Sequence, residues 1–192
     1  VRSKYPSFLI PDGWEAIFDP NSATIFPEVA VEAHLNLAAA AGADIHFNEK
    51  VEGWSASSTG VIVETSDATY EADSLIITAG VWAPGMLGDL KLPFEIERVS
   101  LWMVEPKANR EFFKSGNFPN ASFEIEEKYP LYMQADFGSG VKLALDHHGT
   151  PTTAETVNRE ITQEDHDKIF EQIRRFIPDL DGKVLDSVVC MY

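Results

Sequence analysis

The hydrophobic positions change their spacing twice along the chain. Val31, His34, Leu35, Ala38 and Ala39 fall on one face of a 3.6-residue period, with Pro27 and Glu28 ahead of them and Gly42 behind. Proline suits a first helical turn, an early glutamate complements the dipole, and glycine suits the position after the last turn, so this spacing predicts a helix. After Gly42 the pattern shortens to strand-like runs at 43–47, 50–56, 61–65 and 69–72, the last two joined by a turn at Ser66-Asp67. Leu75-Ile76-Ile77 shows no polar alternation, which predicts a strand at 75–78 buried on both faces of a partly parallel sheet.

Beyond Pro93 the runs alternate as half-buried strands do, at 94–104, 121–125, 131–135 and 141–147, with a helical interruption near 110–114. A second helix opens at Thr162 with Asp165 three residues on, a near capping box, and ends at Pro178. Its apolar face is Ile169, Phe170, Ile173, Phe176 and Ile177, and a last strand follows at 184–191. The order predicts an α+β fold in two lobes: a partial α/β lobe over 1–92 and a largely antiparallel sheet with flanking helices over 93–192.

Composition narrows the classes. A chain of 192 residues that is 44% hydrophobic is long and apolar enough to fold around a core. Its net charge of −16 speaks against nucleic acid as a partner, because phosphate binding needs a basic footprint. A single cysteine excludes an internal disulfide framework, and scattered histidines argue against a metal site. The longest uncharged apolar run, 75–88, contains Gly80, Pro84 and Gly85 and is too short to span a bilayer. With no signal-peptide pattern, a cytoplasmic location and no membrane partner are expected. The chain starts at Val1 and stops inside the strand ending Cys190-Met191-Tyr192, so it is expected to be a piece of a longer protein.

Individual residues leave two readings each. Cys190 is either a core thiol or an attachment point or nucleophile, which needs an electropositive setting. Lys142, between Val141 and Leu143, either snorkels from a strand or supplies positive charge beside a developing oxygen anion. The stretch Ile77-Thr78-Ala79-Gly80-Val81-Trp82 is a plain strand–turn–helix junction or a backbone approaching a cofactor at a strand's end. Gly138-Ser139-Gly140 precedes a strand and lacks a third glycine, so it reads as a hairpin turn rather than a dinucleotide loop.

Taken in order, Pro11-Asp12-Gly13, Ala41-Gly42-Ala43, Asn48-Glu49-Lys50-Val51, Leu75 to Trp82, Gly140-Val141-Lys142-Leu143, Thr156 to Glu160 and Cys190-Met191-Tyr192 resemble one family. It is the monomeric sarcosine oxidase and N-methyltryptophan oxidase group of FAD-dependent amine oxidoreductases, within the D-amino acid oxidase superfamily. The resemblance spans the whole chain. It implies an oxidase of secondary or N-methyl amines, taking amine, O2 and water to aldehyde, amine and hydrogen peroxide. It makes the first lobe a partial FAD-binding lobe and the second the substrate lobe. It also implies FAD linked through sulfur to Cys190, oxygen activation by Lys142, and an active-site role for Tyr192. Val51, Ala79, Gly80 and Trp82 fall near the cofactor. The family's substrate-side histidine, four residues after the lysine, falls at Asp146, with His147 one further. Either a bulge puts His147 in that role, or the pocket differs and an acidic group there suits an amine better than a carboxylate. The family's GxGxxG is absent, so the 192-residue chain alone is expected neither to bind FAD tightly nor to be active. The alternative is a non-catalytic small-molecule-binding or scaffolding domain.

Overall fold

The computed structural model describes residues 1–125, 130–146 and 149–192. The chain forms two compact units, Ile25–Phe94, and Val1–Thr24 together with Glu95–Tyr192. The sequence division fell at 92/93; the opening 24 residues belong with the later unit because Phe8 is buried against Phe118 and Phe123. The Leu9 N–H adds a 2.7 Å bond to the Phe176 carbonyl.

In the Ile25–Phe94 unit, helix α1 (Pro27–Ala40) starts with proline at its first turn and is followed by Gly42 at φ +91°, where only glycine is unstrained. Strands β1 (Val51–Ala56), β2 (Val61–Thr65) and β3 (Thr69–Ala72) form an antiparallel meander with Trp54 opposite Val63 and Val63 opposite Tyr70. Glu49 pins the segment before β1 to this sheet, accepting bonds from Thr65 Oγ1 at 2.5 Å and the Tyr70 hydroxyl at 2.8 Å. The short helix α2 (Ala83–Met86) is tied to β1 by the Trp54 indole N–H, which donates to the Met86 carbonyl at 2.9 Å.

Two expected strands do not form here. Residues 43–47 and 75–78 are irregular, and Ile76 is 86% exposed rather than buried on both faces. A doubly covered parallel strand needs neighbours on both edges and layers on both sides, and the described residues supply neither. Among the described residues of this unit none is fully buried.

The other unit carries the core. Strands β4 (Glu97–Glu105), β5 (Ala121–Glu124), β6 (Pro130–Gln134), β7 (Val141–Leu145), β8 (Thr150–Pro151) and β9 (Lys183–Met191) make one antiparallel sheet, with helix α3 (Gln163–Phe176) before β9. The order runs β5-β6-β7-β4; β9 takes the other edge of β4, and β8 pairs with Glu97 and Arg98 beyond the end of β7. Gly149 permits that continuation, because a Cβ there would lie 2.5 Å from the Arg98 carbonyl oxygen. One residue of β9, Leu185, is bulged out of the ladder, between the pairs Met103–Asp186 and Val104–Val184.

Side chains alternate across a sheet, so cross-strand partners share a face. One face carries Trp102, Val104, Leu131, Met133, Val141 and Leu143, and it is buried in a core with Ile169, Phe170, Ile173 and Phe176 of α3. The capping box expected at Thr162 and Asp165 is present. Arg98 crosses to the same side and holds Asp165 through two bonds, at 2.8 and 2.9 Å.

Candidate functional site

The opposite face of the same sheet carries several of the residues singled out from the sequence. The pairs Leu101–Ala144 and Ala144–Tyr132 put these three side chains on it, and Val99–Cys190 adds the cysteine. Val99, Leu101 and Ala144 form a small apolar floor against which Tyr132 and Cys190 pack. Lys142, paired with Met103 on one side and Gln134 on the other, lies on this face two residues from Ala144. Its neighbours Val141 and Leu143 point into the core. Lys142 is half-buried, and no hydrogen bond or ion pair engages it among the described residues.

Local chemistry fixes these positions. The Asp136 carboxylate accepts the N–H groups of Gly138 at 2.7 Å and Gly140 at 2.9 Å, which closes the turn into β7 and makes Gly138-Ser139-Gly140 the hairpin turn expected from its spacing. Beyond Met191 the ladder continues, because Tyr192 and Glu97 exchange backbone bonds of 2.8 and 2.9 Å. Arg159 Nη1 donates to the Val189 carbonyl at 3.0 Å and anchors β9 beside Cys190.

The tyrosine hydroxyls of Tyr132 and Tyr192 lie 3.2 Å apart. Burial pushes the Tyr132 hydroxyl well above the usual phenol range, reinforced by its bond to Tyr192 and by the negative charge of Asp146. Tyr192 is also raised, again mainly by burial, but its bond to Tyr132 acts in the opposite direction. Both hydroxyls therefore keep their protons through the neutral range, and either can donate to the other.

The structure thus brings together Lys142, Cys190 and Tyr192 of the sequence-derived residues, on one face of one sheet. His147 lies outside the described residues. Val51, Ala79, Gly80 and Trp82 belong to the other unit: Val51 opens β1, Gly80 adopts φ +55° at the start of a 3-10 turn, and Trp82 is 54% exposed. Ala79 and Gly80 follow an irregular segment, not the strand expected at 75–78. Sequence reasoning missed Tyr132 and Glu97. The signal for Tyr132 is alternation in β6, where Leu131 and Met133 face the core and Tyr132 between them does not.

The family profile described as FAD dependent oxidoreductase matches residues 1–192. The chain is 32% identical over 195 residues to the monomeric sarcosine oxidase of Streptomyces avermitilis, covering 100% of this chain and 51% of that protein. It is 29% identical over 194 residues to the N-methyl-L-tryptophan oxidase of Yersinia pestis strain Pestoides F, covering 100% and 51%. The chain therefore spans about half the length of the curated relatives it matches. Among solved structures, the open form of NikD, described as an unusual amino acid oxidase essential for nikkomycin biosynthesis, superposes with a TM-score of 0.68. That match has 17% identity over 85% of this chain and 43% of NikD, a likeness of fold. The expected α+β class holds. No helix among the described residues is long and apolar enough to cross a membrane.

Proposed function

Since the chain belongs to the FAD dependent oxidoreductase family, we propose that it supplies the substrate-facing sheet and part of the cofactor-binding lobe of an enzyme that oxidises a secondary or N-methyl amine. The observation that carries this reading is the two-faced sheet: its apolar face is consumed by the core, while Lys142, Cys190, Tyr132 and Tyr192 gather on the other. These residues fit a flavin laid against that face, with a half-buried free thiol at Cys190 and a lysine that has no counter-ion among the described residues. When bound, the flavin supplies the redox chemistry, taking two electrons and a proton from the amine's C–N unit and passing them to O2.

The chain's own residues do the rest. Cys190 offers the sulfur for a covalent link, Lys142 holds positive charge where O2 takes up electrons, and the tyrosine hydroxyls orient the amine. Within the Ile25–Phe94 unit, the family resemblance assigns cofactor contacts to Val51, Ala79, Gly80 and Trp82. The imine product hydrolyses to an aldehyde and the shorter amine, with hydrogen peroxide formed from O2.

The test is made on the full-length protein, denatured in acid and weighed intact. The expected result is a mass gain of one FAD that maps to the Cys190 peptide. An unmodified mass with a yellow supernatant would remove the covalent link and keep the cofactor. A colourless supernatant over an unmodified chain would overturn the flavoenzyme reading.

A further inference from the structure

Two carboxylate oxygens in the sheet unit are buried and meet no donor among the described residues: Asp146 Oδ1 and Glu97 Oε2. Buried polar atoms are almost always paired, so each such exception needs a cause. Both belong to the tyrosine face. Glu97 precedes Arg98, which turns to α3, and stands opposite Tyr192 in the ladder, in phase with Val99 and Leu101. Asp146 follows β7, its backbone N–H held by the Pro130 carbonyl at 2.9 Å, and its negative charge raises both Tyr132 and Tyr192.

No cation of the described residues answers these charges. Arg98 is committed to Asp165. Lys142 lies four residues back along the same strand, about 13 Å away by strand rise. A buried carboxylate oxygen without a partner is costly, and the group that relieves it is an N–H donor with positive charge. Resting on the amine-oxidase reading above, we propose that Asp146 is the specificity-determining residue of this site: its free Oδ1 accepts an N–H of the substrate, bound as an ammonium cation beside the tyrosine pair. Glu97 adds negative potential on the same face.

The experiment uses the flavin-loaded full-length protein, with N-methylbenzylamine as the cation and benzyl methyl ether, its neutral isostere, as the reference. In Asp146→Asn, calorimetry is expected to show the affinity for the amine falling about tenfold or more while that for the ether stays put. Asp146→Glu, which restores the charge, is expected to recover part of the preference. A tyrosine absorbance titration checks that the variant is folded around the pair, because losing the aspartate charge makes the Tyr192 hydroxyl easier to ionise. An amine-to-ether ratio unchanged in Asp146→Asn would overturn the proposal and leave Asp146 a structural carboxylate. Anaerobic bleaching of the wild-type flavin by secondary amines separates the two ideas. No bleaching by any of them ends the amine-oxidase reading and this one with it, whereas bleaching with an unchanged ratio ends only the role of Asp146.

Discussion

Lys142 shows how strand alternation sets one side chain apart from its neighbours. Its two neighbours are fully buried, yet the alternation of β7 turns its own ammonium to the opposite face, where no carboxylate of the described residues neutralises it. Under the function proposed above, a positive charge so placed would assist electron transfer to O2 and take no part in removing hydride from the amine. In the full-length enzyme, Lys142→Met is therefore expected to slow reoxidation by O2 about 100-fold or more while leaving anaerobic reduction by the amine nearly unchanged. Stopped-flow traces of the two half-reactions check this, and equal losses in both would remove the role. Lys142, Cys190 and Tyr192 could be named from the sequence because each sits in a short run that resembles the family, and strand alternation then puts them on one face. Tyr132 was not, since its link to Tyr192 spans 60 residues and exists only after β6, β7, β4 and β9 have found their register.

Helix α3 was legible almost entirely, and the reason is locality. Its cap involves residues three apart and its face repeats within two turns, so Ile169, Phe170, Ile173 and Phe176 were all identifiable as core. What the sequence did not disclose is its tie to the sheet. Burial alone would raise the Asp165 carboxyl, but the Arg98 bond and those from Thr162 outweigh it and bring the group down to about 2. A folded-state value below the unfolded one stabilises the protein fully above the ordinary carboxylate range, and that stabilisation is lost as pH falls from there through about 2. Arg98→Met is expected to cost about 3 kcal/mol at neutral pH and to flatten the acid limb over that window. Urea unfolding at a series of pH values checks both statements; an acid limb identical to wild type would show that Arg98 does not hold Asp165 down. The strands expected at 43–47 and 75–78 failed for the converse reason: a strand is completed by a partner elsewhere, and an apolar run carries no record of whether one is present.

Across the molecule, burial is divided unevenly. Every fully buried hydrophobic residue described belongs to Val1–Thr24 or Glu95–Tyr192, whereas Ile25–Phe94 leaves Phe26, Leu37, Phe47, Ile76 and Trp82 exposed. Hydrogen-bonded backbone with little packing over it opens easily. In the 192-residue chain, amides of β1, β2 and β3 are expected to exchange about 100-fold or more faster than those of β4 and β7. Exchange mass spectrometry reads this directly, and equal protection would mean that the meander is stabilised by something other than its own buried surface.

The bulge at Leu185 has a consequence for how this sheet tolerates change. With one residue looped out, Lys183 and Val184 keep step with Glu105 and Val104, while Asp186 to Met191 keep step with Met103 to Arg98. The strand is thereby cut into two independently phased segments, as a slipped tooth separates two stretches of a gear rack. A length change near the start of β9 can be absorbed at that point before it propagates. Cys190 and Tyr192 are insulated from such changes, and the thiol stays on the face opposite the core.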